Sequence, residues 1–378
     1  MYIRVIQSDK TGHGVRHVSG PGGRDCRQVS VQIGIGTISG QVPSDSGRSI
    51  AEVYGDILEL SRLAESAGFD SIWVSEHHGT ADSHLPSPIV MLAAIAAVTD
   101  RIQLGSGIAV APFQHPIRFA EDCAVVDQLS RGRLIVGLGP GWRDEEFVAF
   151  GVPTTERIRR TLELAAFCRA AWADGHAPSG ESLGPGRDVT ISPRPRGRLP
   201  LLLGGGVPAA TARAGRVADG FIAPPLSHLD AFRTLVDAFD QAARDAGRDP
   251  LSMAIGFQVN VWVSPDGAVP EVVRRAMWHK IGTSMRWHAG ERVETVDDLP
   301  PLDETVLARR AIVGTPANVT ATLQPWIAAF ADRDLHVLVR FQHAGLPLDV
   351  VAPAVRLFAA EVSPALRSAG AAISVGPG

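Results

Sequence analysis

The run Gly68-Phe69-Asp70-Ser71-Ile72-Trp73-Val74-Ser75-Glu76-His77-His78 decides how the rest of the chain is read. Behind it, Ser49 to Ala67 carries Ile50, Val53, Ile57, Leu60, Leu63 and Ala64 at helical spacing, and Gly68 is a fitting stop. Within it, Asp70 to Ser75 is short, apolar and rich in β-formers, which predicts a strand. The same alternation continues outward in both directions. Strands are expected at 29–35, 70–75, 102–110, 133–138, 199–203, 219–223, 253–263 and 335–341. Helices are expected at 49–67, 87–98, 116–130, 155–173, 208–218, 227–246, 316–331 and 347–366.

Eight strands alternating with eight helices predict an α/β chain folded as one (β/α)₈ TIM barrel; a doubly wound sheet is the structural rival. Such a barrel needs ~250 residues, and this chain has 378. The surplus is assigned to a flexible N-terminal arm or hairpin at 1–28, to insertions at 174–198 and 283–311, and to a C-terminal tail at 368–378. A single barrel domain then occupies 29–367.

Composition narrows the function. With 45% hydrophobic and 20% charged residues, the chain is not mainly disordered. A net charge of −4 excludes a protein-wide attraction to nucleic acid or to an anionic membrane. Lys10 and Lys280 are the only lysines, an arginine bias read as a coding preference. Cys26, Cys123 and Cys168 are too far apart for a Cys-x-x-Cys motif, so neither a disulfide scaffold nor a zinc ribbon has support. Met1 to Arg27 does not read as a secretory signal, and the longest apolar run, Ile89 to Val98, is about half of what a membrane helix needs. A soluble cytoplasmic protein is the expectation.

In a barrel the chemistry sits on the loops that follow the strands. Those loops hold Gly34-Ile35-Gly36-Thr37, Glu76-His77-His78, Ser106-Gly107, His115-Pro116, Gly137-Leu138-Gly139-Pro140-Gly141-Trp142 and Gly204-Gly205-Gly206. Tight turns alone can demand glycine. Glycine on four strand ends of one rim also suits a flat or phosphate-bearing cofactor. Gly204-Gly205-Gly206-Val207-Pro208-Ala209 fits Gly-x-Gly-x-x-Ala, but no acidic residue follows at the ribose-binding distance. It reads as a phosphate cradle at a helix N-terminus instead. Of two adjacent strand residues, at most one of His77 and His78 faces the barrel mouth. Catalysis, a structural hydrogen bond and a metal all remain open for the pair, and adjacent histidines make poor zinc geometry. No metal site is expected. His115 is as compatible with a turn as with a site.

These blocks resemble the bacterial luciferase-like superfamily of flavin-dependent monooxygenases. The resemblance is carried by Gly68 to His78, Ser87-Pro88, Thr99 to Gly105, His115-Pro116, Ala120-Glu121-Asp122, Asp127 to Arg133, Gly137-Leu138-Gly139, Phe150-Gly151, Ala218-Asp219-Gly220, Val313 to Pro316 and Glu361 to Arg367. It implies a (β/α)₈ barrel binding FMN, usually reduced, or a related deazaflavin, with His77 beside the flavin and a non-prolyl cis bond at Gly107-Ile108 in some members. The reactive Cys and Arg that light-emitting luciferases carry after the fourth strand are Gly139 and Pro140 here, so Arg157 takes over as the phosphate contact. An acidic residue and a Ser near the phosphate are replaced by Gly205 and Gly206.

The expectation is a monooxygenase that takes reduced FMN from a separate flavin reductase. With O₂ it oxygenates a small organic substrate through a C4a-(hydro)peroxyflavin. A deazaflavin-dependent hydride transferase is the alternative, and a non-catalytic flavin-binding partner subunit a further one. His77 is assigned to catalysis. Gly36, Thr37, Glu76, Ser106, Gly107, Ile108, Gly139, Arg157, Gly204, Gly205, Gly206 and Val207 are assigned to the cofactor. His115, Trp142, Trp287 and His288 are assigned to substrate or to a lid at 283–311. A homodimer joined through the helices at 88–98 and 116–130 is expected.

Overall fold

The computed structural model describes residues 31–178, 188–226 and 228–373. The arm at 1–28 lies outside them, as do residues 179–187 of the insertion expected at 174–198. The barrel strands are β1 Val31–Ile38, β2 Ser71–Val74, β3 Gln103–Ser106, β4 Leu134–Gly139, β5 Leu201–Gly204, β6 Gly220–Ala223, β7 Ala254–Val263 and β8 Leu335–Arg340. Each pairs in parallel with the next in chain order. β8 then returns to β1, from Val31 opposite Leu335 to Ile35 opposite Val339, and closes the ring. Closure removes the edges of the eight-stranded ring and settles the choice against a doubly wound sheet.

The helices are α1 Ile50–Ala67, α2 Pro88–Ala96, α3 Pro116–Ser130, α4 Asp144–Phe150, α5 Arg157–Asp174, α6 Pro208–Val217, α7 Leu229–Asp245, α8 Glu271–His288, α9 Glu304–Arg310, α10 Pro316–Ala328, α11 Leu348–Leu357 and α12 Ser363–Ile373. α1 shows why these residues make this element. Ser49 and Glu52 form a capping box, Val53, Ile57, Leu60 and Ala64 are buried on one face, and Gly68 closes the helix at φ 86°. None of the described helices is long and apolar enough to cross a membrane.

The barrel interior is plugged by Trp73, Ile135, Leu202, Ile222 and Leu338. Glycine is what admits the indole: a Cβ on Gly105 would lie 2.1 Å from Trp73 Cδ2. With its interior filled, the barrel can offer a site only at its mouth.

Four boundaries differ from the sequence reading. The strand expected at 102–110 stops at Ser106; Gly107–Ile108 is cis, and Ala109–Val110 resumes as a short pairing with β4. The insertion expected at 283–311 begins inside α8, and the whole excursion from β7 to α10 holds α8, α9 and a strand at Ala311–Gly314 paired to β7. Lys280, Thr283 and Trp287 on the inward side of α8 dilute its apolar stripe, which is why no period was legible there. The helix expected at 347–366 is broken by a π-turn at Phe358–Val362. The tail placed at 368–378 is helical to Ile373.

Candidate active site

His77 leaves β2 at the mouth and aims its Nδ1 at Glu146 Oε1, 2.8 Å away on α4. The same oxygen accepts the His78 backbone N–H at 3.0 Å. Burial opposes charge on Glu146, but the bonds from His77 and His78 and the nearby Arg143 outweigh it, so this carboxyl is held below its usual range. Burial lowers the pKa of His77, against the pull of Glu146. The resulting pair is a neutral imidazole donating Nδ1–H to a carboxylate. That bond fixes the tautomer and leaves Nε2 as the acceptor.

Above His77 stand aromatic rings. Trp287 of α8 is centred 5.0 Å from it and Trp142 6.1 Å, both edge-on. His288 stacks on Trp142 at 4.1 Å. Arg143 ties this roof to the β4 loop. Its guanidinium lies 4.4 Å from the Trp287 ring centre, while Nη1 donates to His78 O at 2.8 Å. Trp142 and Trp287 therefore meet over His77, with His288 stacked on Trp142.

Beside His77 is a cluster that sequence reasoning did not assemble. His84 packs edge-on against His77 at 4.7 Å, and its Nε2 lies 3.4 Å from Lys280 Nζ. Burial, then Lys280 and other neighbouring charges, pushes His84 well below its usual range, so it is neutral and Nε2 accepts from the ammonium. Burial and then Arg340 lower Lys280 to about 7. Arg340, at the end of β8, donates to Thr37 Oγ1, which donates to Gln258 Oε1 at 2.8 Å. His343 is buried beyond it with neither ring nitrogen bonded, and burial brings its pKa to about 3.

Several assigned cofactor contacts are turned to structural work. Glu76 is buried and holds His78 Nε2 at 2.7 Å, Val110 N at 2.9 Å and Gln114 Nε2 at 3.1 Å, which braces the β2 loop. Ser106 Oγ bridges to Gly137 through both its N–H and its carbonyl at 2.9 Å. Thr37 is spent on Gln258 and Arg340, and its peptide with Gly36 is cis. Gly36 lies over Trp73, and a Cβ on Gly107 would come 2.6 Å from Thr37 Cγ2. Gly139 and Gly204 make room for Ile108, whose side chain would meet their Cβ atoms at 2.4 and 3.1 Å. Those glycines thus admit a side chain. Ile108 itself is half-buried at the mouth. His115 is exposed at the start of α3, on a cleft with Gln114, Arg160 and Glu163.

The triglycine turn divides. Gly205 N–H is spent on Ile222 O at 3.1 Å, so it is not free for an anion as expected. The N–H groups of Gly206 and Val207 have no acceptor among the described residues and open α6. Arg157 at the start of α5 stands near Arg213 of α6, each lacking a carboxylate among the described residues; Arg213 is lowered first by burial, then by Arg216 and Arg157. Arg213 also lines a small cavity with Leu138, Pro140 and Gly204. Two orphan N–H groups, a helix N-terminus and two unpaired guanidiniums fit a phosphate.

Glu146, His84, Lys280, Arg213, Arg340 and His343 were missed. Only Lys280 left a signal, its rarity.

Residues 32–333 match the family described as luciferase-like monooxygenase. An F420-dependent glucose-6-phosphate dehydrogenase of Beutenbergia cavernae is 30% identical over 290 residues, 75% of this chain and 82% of that one. The oxygenase component of a flavin-dependent trigonelline monooxygenase from Acinetobacter baylyi is 31% identical over 132 residues, 34% of this chain and 37% of that one. In structure, monooxygenase RslO1 from Streptomyces bottropensis superposes with a TM-score of 0.71 at 25% identity, covering 88% of this chain and 99% of its own.

Proposed function

We propose that this chain, which belongs to the luciferase-like monooxygenase family, is the oxygenase of a two-component system. It takes reduced FMN from a separate flavin reductase and uses O₂ to place one oxygen atom in a small organic substrate. The observation that carries this reading is the Trp142–Trp287 roof over His77. Oxygen chemistry on a reduced flavin has to be shielded from water, whereas deazaflavin hydride transfer does not need that shield. When bound, the flavin would supply the electrons that activate O₂. Gly206 and Val207 N–H, Arg157 and Arg213 would hold its phosphate, and Ile108 offers an apolar surface at the mouth. His77 Nε2 is the atom that takes or returns a proton, with Glu146 fixing its orientation.

A second reading has its own support. The Beutenbergia cavernae relative is F420-dependent, and a neutral histidine backed by a carboxylate also suits removal of a proton from an alcohol as hydride leaves. Anaerobic titration with reduced FMN and with the deazaflavin, followed by oxygen uptake, separates the two. Tight binding of reduced FMN with substrate-dependent oxygen consumption is expected. Deazaflavin reduction by an alcohol without oxygen uptake would replace the first reading with the second.

The assembly reading is a homodimer through α2 and α3, where Val90, Val125 and Leu129 are exposed at 69%, 43% and 58%. A monomeric mass by sedimentation at micromolar concentration removes it.

A further inference from the structure

Lys280, half-buried, and Arg340, buried, are two cations at the mouth with no carboxylate at salt-bridge distance among the described residues. Asp82 and Glu146 act on Lys280 from beyond salt-bridge distance, each with one oxygen bonded elsewhere and Asp82 Oδ1 without a partner. Asp82 Oδ2 accepts from His279 Nε2 at 2.9 Å and from Gln41 Nε2 at 2.6 Å. Glu146 serves His77, the His78 N–H and Arg143. Lys280 Nζ touches only the neutral His84, and Arg340 touches a hydroxyl. Around them the polar side-chain atoms of His343, Trp287 and Thr283 are buried and unpartnered. Lys280, Thr283 and Trp287 share one face of α8 at i, i+3 and i+7. A largely buried cation pair with carboxylates nearby but none in contact is costly, and like charges add to that cost. Retaining it is best explained by a ligand that brings the missing charge.

We propose that the substrate is a small organic anion whose carboxylate is received between Lys280 and Arg340, with its body under the Trp142–Trp287 roof. The inference rests on the reading of this mouth as the substrate site. It adds the substrate's chemical class, and it holds for either cofactor.

The test exploits the sequence. Lys10 and Lys280 are the only lysines, so reductive methylation with ¹³C-formaldehyde gives a spectrum with two lysine signals, and a Lys280→Arg variant assigns them. The groups facing Lys280 are His84, Arg340, Asp82, Glu146, His77 and His343. The Lys280 signal of flavin-free protein should titrate near 7, as burial and Arg340 dictate. Acetate and benzoate should raise that midpoint by about one unit or more, since an anion favours the protonated amine. Acetamide and benzamide should leave it in place. Arg340→Gln should reduce the carboxylate effect at least several-fold. Equal effects of acid and amide overturn the proposal. So does a midpoint indifferent to both carboxylates, or a Lys280 that resists labelling while Lys10 is modified. Since no flavin is present, failure here is distinct from failure of the monooxygenase reading, which oxygen uptake judges separately.

Discussion

His77 Nδ1 and Glu146 Oε1 are 2.8 Å apart although 69 residues separate them in the chain. The contact exists because β2 and β4 deliver their loops to the same rim, and α4 turns its first-turn acid back toward β2. A carboxylate in that position orients the imidazole and sets which nitrogen carries the proton. It also supports the positive charge that appears when Nε2 accepts a proton.

Glu146→Gln keeps an acceptor for Nδ1 but removes the charge. Since Glu146 raises the His77 pKa against burial, its loss lowers that pKa further. The neutral form is the acceptor, so the acid limb of kcat/KM should move to lower pH, and turnover should fall roughly 10- to 100-fold as the base weakens. His77→Ala should cost more, ~10²–10⁴-fold, with flavin binding retained. A pH–rate profile beside a flavin titration checks both. An unmoved acid limb in Glu146→Gln would mean that His77 does not carry it.

His78→Ala should act through stability instead. Its ring lies 4.7 Å from Phe150 and 5.8 Å from Phe113, and its Nε2 satisfies buried Glu76. Removing it takes a partner from a carboxylate whose pKa burial already raises. A loss of ~1–3 kcal/mol in denaturant unfolding is expected, with kcat changed less than in His77→Ala.

The barrel was legible because period and turn chemistry repeat along the chain. Ser49 to Gly68 carries cap, stripe and stop in one segment, and most strands are bounded by Gly, Pro or polar residues. The cluster around His77 was legible where its residues sit next to a strand end, as His77 and Trp142 do, and at Trp287 of the expected lid. Glu146 lies on a short helix that the period did not predict, and nothing local tells that its carboxylate is buried. Glycine misled for a related reason. At Gly139 and Gly204 the space a Cβ would need is taken by Ile108, and a sequence cannot say whether that space admits a ligand or a neighbour's side chain.

For the phosphate, Gly206→Asp should abolish reduced-FMN binding by placing a negative charge at the start of α6. Gly206→Ala separates charge from bulk, because a Cβ there meets only Pro224, at 3.0 Å. Arg213→Ala should weaken reduced FMN by roughly 10-fold, the order of one charge-assisted contact. Riboflavin, which lacks the phosphate, should be affected far less by each. Anaerobic fluorescence titration of both flavins decides it, and parallel losses would assign the turn to shaping the barrel.

Lys280 gives a prediction whose sign follows from linkage. Burial and then Arg340 lower its folded pKa to about 7 from 10.5, so between those values the unfolded chain binds more protons than the folded one. The contribution of Lys280 to stability therefore rises with pH across that window. Its destabilising effect is complete below about 7 and vanishes above about 10.5. Lys280→Met keeps the volume and removes the titration. It should raise the melting temperature by a few degrees at pH 6, and the gain should shrink steadily toward pH 10. The difference between variant and native protein isolates this group from the other titrations. A gain independent of pH would show that Lys280 is as charged in the folded protein as in water, and that the mouth is open to solvent around it. If the pH-dependent gain is found together with lost affinity for carboxylates, the protein keeps a destabilising amine because its ligand needs one.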